Sequence, residues 1–321
     1  MTEIVKAYIP KAKAIIFFTA TGIAVRTMAS FLKHKSVDPA VLAVDEMGKY
    51  CISVLSGHVG GANVLAQFVS GLTGATPVVT TATDLHDKFS VDSFAKKNGL
   101  VMTDWTLAKE VSAAVLRGEK IGIDTDCEIQ SKLPDELVLI KHETNRAEGS
   151  ETRAQDPNYE VRITADMLRI YRKNEQTLVL VPKCYVVGVG CKSNTPESAI
   201  YDAVKVCMDM YGADMRGLAA VASIDGKAEE PGLVAFCKNN ELPFMTYDAQ
   251  TLNEIEGDYS KSQFVMDVMG VDNVCERSAM ACAKTFERVD ASYGQAEFIC
   301  RKTAMNGVTV SIVRMERKIS L

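Results

Sequence analysis

The chain has no excess of basic residues: 36 Lys and Arg stand against 41 Asp and Glu, a formal net charge of −5. That balance argues against a general nucleic-acid or membrane-surface role, which calls for a basic face, and leaves an anionic ligand to be held by local donors. Histidine is scarce, with four residues, and the nine cysteines contain no C-x-x-C pair. Odd in number and scattered, the cysteines speak against a disulfide framework. With no export signal at the start of the chain, they read as reduced thiols of a cytoplasmic protein.

Long apolar runs are also missing. Residues 51–83 carry no Asp, Glu, Lys or Arg, but five glycines and a proline interrupt them. No window of about 20 residues is therefore apolar enough to span a membrane. The glycines at positions 57, 60 and 61 lack the G-x-G-x-x-G spacing, and no Walker lysine follows, which speaks against a nucleotide-binding loop.

What is present is ordinary globular composition, 47% hydrophobic and 24% charged, over 321 residues, a length that suits two or three domains. AIIFF (Ala14–Phe18) is a short apolar strand run, followed by a TATG loop and a helix over residues 23–32. AVLAV and YCISVL flank a DEMGK turn and read as a hairpin. After the SGHVGG loop, Val64, Leu65, Phe68, Val69 and Leu72 recur at helical spacing, with Asn63, Gln67 and Ser70 on another stripe. TPVVT is the next strand, ending in TTATD, and a helix from about Ser90 closes at Asn98 and Gly99.

Residues 119–182 show a weaker pattern, with strand candidates at 121–123, 137–140, 159–163 and 178–181 around a charged excursion. A second α/β segment opens with CYVVGVG, a CKSNT loop and Thr195-Pro196 as N-cap and first helical residue. Ile200, Val204, Cys207, Met208 and Tyr211 mark the buried face of that helix. Residues 218–223 form a strand that leads into the IDGK loop. Asn306-Gly307 joins two final strands in a type I′ turn.

The expected fold class is α/β: two three-layer α/β/α domains with mixed, mostly parallel sheets, joined by a small β-rich middle segment. The expected boundaries are 1–118, 119–182 and 183–321. If the strands before TATG, SGHVGG and TTATD are parallel, those three polar loops gather on one carboxyl edge, where open α/β sheets bind ligands.

The stretches GIAVRTMASFLKHKSVDPAVLAVDEMGKYCISVLSGHVGGANVLA, ATPVVTTATDLHDKFSVDSFA, VVGVGCKSNT and VASIDGKAEEPGL together resemble the cobalt-precorrin-5A hydrolase family of anaerobic cobalamin biosynthesis. The resemblance covers most of the first 100 residues and most of the chain after Cys184. Three departures stand out. The chain starts close to AIIFF, where family members carry a further strand and helix. His34-Lys35 stands where an Asp-Lys pair is common. GCKSNT replaces GCRKGT, so Lys192 keeps a positive charge, Ser193 loses one, and Asn194 stands where glycine is usual while still tolerating a left-handed backbone.

The resemblance implies a cobalt-bearing tetrapyrrole substrate whose δ-lactone is opened by water and whose extruded two-carbon unit leaves as acetaldehyde. The cobalt comes with the substrate, so no cofactor and no protein-held metal are expected. Neighbouring enzymes of the pathway are the expected partners, and nucleic acid and membrane are not. A non-catalytic carrier of tetrapyrrole intermediates is the alternative.

Candidate catalytic residues are His58, Asp84 and Asp92. His58 stands near a helix start, whose positive end would favour a neutral imidazole able to act as a general base or simply to hydrogen-bond. Asp84 or Asp92 would act as acid or base, or orient His58. Ser56, Gly57, Gly60 and Gly61 would bring backbone donors to a carboxylate or oxyanion, or serve tight packing alone. Asn63, Thr80, Thr81 and Thr83 offer polar contacts or local capping. Arg26 and Lys35 are candidate partners for substrate carboxylates. In the second half the substrate-binding candidates are Gly188, Gly190, Cys191 and Lys192, with Ser223, Asp225 and Lys227 as a polar cluster. Cys191 as a nucleophile is disfavoured, because no histidine lies nearby in sequence.

Overall fold

The computed structural model describes residues 1–34, 37–82, 88–140, 162–164 and 177–321. They divide into two compact units, one of residues 1–97 with 108–120 and the other of residues 98–107 with 121–321.

The first unit contains α1 (Thr2–Tyr8), β1 (Ala14–Phe18), α2 (Thr21–Met28), β2 (Ala40–Val44), β3 (Tyr50–Leu55), α3 (Ala62–Thr73), β4 (Thr76–Val78), α4 (Val91–Lys97) and most of α5 (Trp105–Leu116). Its sheet runs β1-β2-β3-β4. All five residues of β2 are buried. Leu42 and Val44 pack with Ala62 and Ala66 of α3 on one face, while Val41 and Ala43 pack with Val5, Ala24 and Met28 of α1 and α2 on the other. A strand covered on both faces has no need of polar alternation, which is why AVLAV is uniformly apolar.

Strand direction corrects one expectation. β1 is parallel to β2, but β2 is antiparallel to β3, and β3 is parallel to β4. The SGHVGG loop and the residues just after β4, Thr80 and Thr81, therefore share a rim, and TATG lies on the opposite one. The helix after SGHVGG is also turned differently from its apolar stripe. Ala62, Asn63, Ala66 and Ser70 are its buried residues, while Val64, Phe68 and Leu72 are 71%, 63% and 72% exposed. Small residues let α3 lie close on the sheet. α2 occupies Thr21–Met28, earlier than the expected 23–32, and α1 had no signal in the sequence reading.

The second unit holds two sheets. β5 (Leu100–Met102), β6 (Ile121–Asp124), β8 (Leu137–Leu139), β9 (Arg162–Thr164) and β10 (Thr177–Pro182) form a five-stranded sheet in the order β5-β10-β9-β6-β8. The larger sheet runs β13 (Phe244–Tyr247), β12 (Leu218–Ile224), β11 (Tyr185–Cys191), β15 (Val308–Ile319), β14 (Tyr293–Met305), with β7 (Glu128–Ile129) pairing β15. β11, β12 and β13 are parallel, and the terminal hairpin is antiparallel. Its turn has φ of +50° at Asn306 and +82° at Gly307, as a type I′ turn requires.

The helices of this unit are α6 (Glu197–Met210), α7 (Pro231–Asn239), α8 (Ala249–Glu254), α9 (Gln263–Met269) and α10 (Cys275–Val289). Ala279, Cys282 and Ala283 of α10 pack on Val186, Ala220 and Ala222. Val187 and Val189, which alternate to the other face of β11, are also fully buried, so both faces of the sheet are covered. α6 starts one residue later than expected: Pro196 is its N-cap, and the Thr195 hydroxyl instead donates to the Lys192 carbonyl at 2.7 Å. Tyr211 lies just beyond α6 and is 44% exposed. Among the described residues no helix is long and apolar enough to cross a membrane.

Candidate functional site

The loop between β3 and α3 folds back on itself. Ser56 has φ +56° and Gly61 φ +88°. The amides of Ala62 and Asn63 donate to the carbonyls of Ser56 and Gly57 at 3.1 Å each, and Gly61 N–H donates to the His58 carbonyl at 3.0 Å. The first amides of α3 are thus turned into the loop. A Cβ on Gly60 would stand 2.3 Å from the Ser56 Cβ, and one on Gly57 would stand 2.7 Å from Asn63 Oδ1. Those two glycines serve close packing, since protein atoms fill the space a side chain would need.

This packing places His58 against α4. Its Nδ1 lies 3.0 Å from Asp92 Oδ1, with both side chains 11% exposed. The Ser90 hydroxyl donates to the same carboxylate oxygen at 2.6 Å and stands 3.0 Å from His58 Nδ1. An ionised carboxylate only accepts, so Nδ1 carries the proton toward Asp92 and the lone pair of a neutral ring falls on Nε2. This carboxylate therefore touches the ring directly, an influence on His58 beside that of the helix end. Ser90 also accepts from the Ser93 amide at 3.4 Å, an N-cap bond at the start of α4. Because serine and aspartate both meet the same ring nitrogen, the three residues do not form the relay of a serine hydrolase, in which they occupy opposite nitrogens.

Asn63 is 5% exposed. Its Oδ1 accepts from Ser53 Oγ at 2.7 Å, and its Nδ2 donates to Thr81 Oγ1 at 3.0 Å. The carboxamide pins the end of the β4 loop to β3, so its part in the site is to place Thr81. Thr80 beside it is exposed. Lys96, one turn beyond Asp92, reaches the same loop: its Nζ stands 2.8 Å from where a Gly61 Cβ would sit. The Arg26 guanidinium instead leans back to within 3.8 Å of the corresponding point on Gly22, near the opposite rim where β1 ends. Lys35, Thr83 and Asp84 lie outside the described residues.

In the second unit, a cavity of 470 Å³ is lined by Gly190, Cys191, Lys192, Ser193 and Lys227 together with apolar residues including Ile224, Val265, Val268 and Val274. Lys302 also lines it. Lys227 is 5% exposed and donates to Glu230 Oε2 at 2.9 Å, while Glu230 Oε1 accepts from the Asn194 amide at 2.6 Å. The Lys227 ammonium, joined by that amide, holds the Glu230 carboxyl below its usual range. Asn194 has φ +60°, the left-handed backbone expected where the family carries glycine.

Several expected contacts in this unit are structural instead. The lysine of the IDGK loop pairs with Glu230, and Asp225 accepts from the Gly226 amide at 2.7 Å. Ser223 is fully buried and donates to the Val189 carbonyl at 2.7 Å. A Cβ on Gly188 would fall 1.8 Å from the Cys275 carbonyl oxygen, so glycine there admits α10. Burial pushes the Cys191 thiol above its ordinary range despite the nearby Lys227, which suits a lining residue and not a nucleophile.

Three family models match in chain order: cobalamin synthesis G N-terminal over residues 3–84, the cobalamin biosynthesis central region over 89–182, and cobalamin synthesis G C-terminus over 185–313. A cobalt-precorrin-5A hydrolase of Salmonella typhimurium is 32% identical over 272 residues, 81% of this chain and 73% of the relative. The chain belongs to the cobalt-precorrin-5A hydrolase family. A second member, from Priestia megaterium, is 30% identical over 289 residues, 88% of this chain and 76% of the relative. The crystal structure of CobE, a protein from the cobalamin biosynthetic pathway, covers 42% of this chain and 94% of its own, at 27% identity and a TM-score of 0.38.

Within this family member, the sequence reading missed Ser90, Lys96, Glu230 and Lys302. Ser90 and Lys96 had a readable signal: a serine two residues before Asp92 at a helix start, and a lysine four residues after it on the same helical face. Glu230 stands three residues beyond Lys227, at helical spacing, whereas Asp225 is the nearer carboxylate in sequence. Lys302 sits inside a long hairpin strand, and only the tertiary fold brings it to the cavity.

Proposed function

We propose that the protein hydrolyses the δ-lactone of cobalt-precorrin-5A, releases acetaldehyde and yields cobalt-precorrin-5B, with His58 as general base. The supporting observation is the His58 Nδ1 to Asp92 Oδ1 contact of 3.0 Å between two largely buried side chains. Nε2 takes a proton from water as its oxygen attacks the lactone carbonyl. Asp92 steadies the resulting imidazolium, which then returns the proton to the departing ring oxygen. General-base assistance of this kind contributes about 10²- to 10⁴-fold.

Opening the lactone leaves a carboxylate on a side chain of the macrocycle and a hydroxyl on the two-carbon unit. Removing the hydroxyl proton lets the carbon–carbon bond to the macrocycle break. Acetaldehyde leaves, and the electron pair remains on the conjugated ring to be protonated. The cobalt belongs to the substrate, and no resident cofactor enters this scheme. Gly190, Cys191 and Lys192 line the cavity of the second unit, whose apolar residues and lysines suit a macrocycle edged with carboxylates. A cytoplasmic setting belongs to this reading, supported by nine cysteines that form no disulfide among the described residues.

The test supplies cobalt-precorrin-5A and assays acetaldehyde with His58→Gln. Loss of at least 10²-fold in kcat with substrate still bound is expected on the scale of general-base catalysis. Turnover near wild type would remove His58 from the role of base.

A further inference from the structure

We propose that Lys96 is a substrate-recognition residue, binding a peripheral carboxylate of the tetrapyrrole beside the His58 loop; the inference rests on reading that loop as the active site. Lys96 follows Asp92 by four residues on α4, so the two side chains rise from one helical face. Asp92 meets His58, and Lys96 reaches the other end of the same loop, its Nζ 2.8 Å from the place of a Gly61 Cβ. Glycine at 61, already called for by φ +88°, leaves this ammonium lying directly over the backbone.

Lys96 is exposed, and among the described residues no carboxylate pairs with it. Lys205 and Lys227, by contrast, are joined to Asp209 and Glu230. An ammonium offers up to three N–H donors to a carboxylate in a charge-assisted bond. Arg26, the sequence candidate for this task, is directed away toward Gly22, and Lys96 stands on the rim that Arg26 does not reach. The ligand class is a cobalt tetrapyrrole with free carboxylates, and the contact is to a group that does not react.

The experiment has two arms on the full chain, with folding checked by circular dichroism. In the first, cobalt uroporphyrin, a stable carboxylated tetrapyrrole without a lactone, is titrated by its absorbance. Lys96→Gln should weaken Kd roughly three- to ten-fold, Lys96→Arg should restore most of it, and Lys96→Gln should flatten the salt dependence. In the second, cobalt-precorrin-5A turnover should show KM raised by a similar factor and kcat within about two-fold, the signature of uniform binding.

Unchanged Kd and KM in Lys96→Gln would overturn the proposal, as would a fall in kcat at constant KM. His58→Gln separates the two readings. If it keeps its turnover while Lys96→Gln binds more weakly, only the role of His58 fails. If it loses turnover while Lys96→Gln matches wild type, only the Lys96 proposal fails.

Discussion

Asn63 and Thr81, 18 positions apart, are joined by a 3.0 Å hydrogen bond from a carboxamide whose oxygen is already held by Ser53. One buried side chain thus links β3, α3 and the loop after β4. Asn63→Ala should cost about 1–3 kcal/mol, because it leaves two hydroxyls without their partner in a part-buried site. Urea unfolding should show the loss as a lower midpoint at unchanged slope.

The hydrogen bonds around His58 give Asp92 and Ser90 different weights. With His58 as the proposed general base, Asp92→Asn would remove the charge that steadies its imidazolium and should lower kcat by about 10²-fold or more. Ser90→Ala removes one donor to Asp92 and an N-cap, and should lower kcat by at most about ten-fold, a cost of about 1 kcal/mol for the lost cap and bond. A Ser90→Ala enzyme with no turnover, or a burst of covalently bound substrate in the wild type, would make Ser90 a nucleophile instead.

Two glycines of the first unit should respond in opposite directions to the same substitution. Gly60→Ala places a methyl 2.3 Å from the Ser56 Cβ and 2.7 Å from its carbonyl oxygen, and should destabilise by about 1–3 kcal/mol. Gly71, inside α3 with nothing within 4 Å of its Cβ position, should gain roughly 0.5–1 kcal/mol from Gly71→Ala. Thermal melts of the two variants against wild type make the comparison.

The Lys227–Glu230 pair sets an acid-side signature. Hydrogen bonding to Lys227 lowers the Glu230 carboxyl in the folded state. The stability it contributes is present above the unfolded value of about 4.3 and is lost as pH falls through the lower folded value. Glu230→Gln should flatten that branch of the stability profile. At neutral pH it should also cost about 3–5 kcal/mol, because it leaves the buried Lys227 ammonium without its counter-charge. The double variant Lys227→Met, Glu230→Leu should recover much of the loss, measured by urea unfolding.

The sequence carried the elements well and their directions less well. AIIFF, AVLAV, YCISVL and the Asn306-Gly307 turn were legible because apolar runs and turn dipeptides are local signals. The reversal between β2 and β3 was legible as a hairpin. Its consequence for TATG was not, since an apolar run is silent on which way its neighbour points. α3 misled because Val64, Phe68 and Leu72 make a strong stripe, whereas Ala62, Ala66 and Ser70, which touch the sheet, make a weak one. His58 was legible by rarity and setting, and its bond to Asp92 was open among alternatives because 34 residues separate them. Ser223 and Gly188 looked like ligand contacts because polar and small residues at strand ends serve packing and binding alike.

The DEMGK turn has a practical consequence. Because β2 and β3 are antiparallel, that turn and the SGHVGG loop leave opposite ends of the same two strands. Met47 at its tip is 86% exposed. A fluorophore, affinity handle or surface tether attached there would sit at the end of β3 away from His58, so that within the first unit the label and the histidine are separated by the length of a strand.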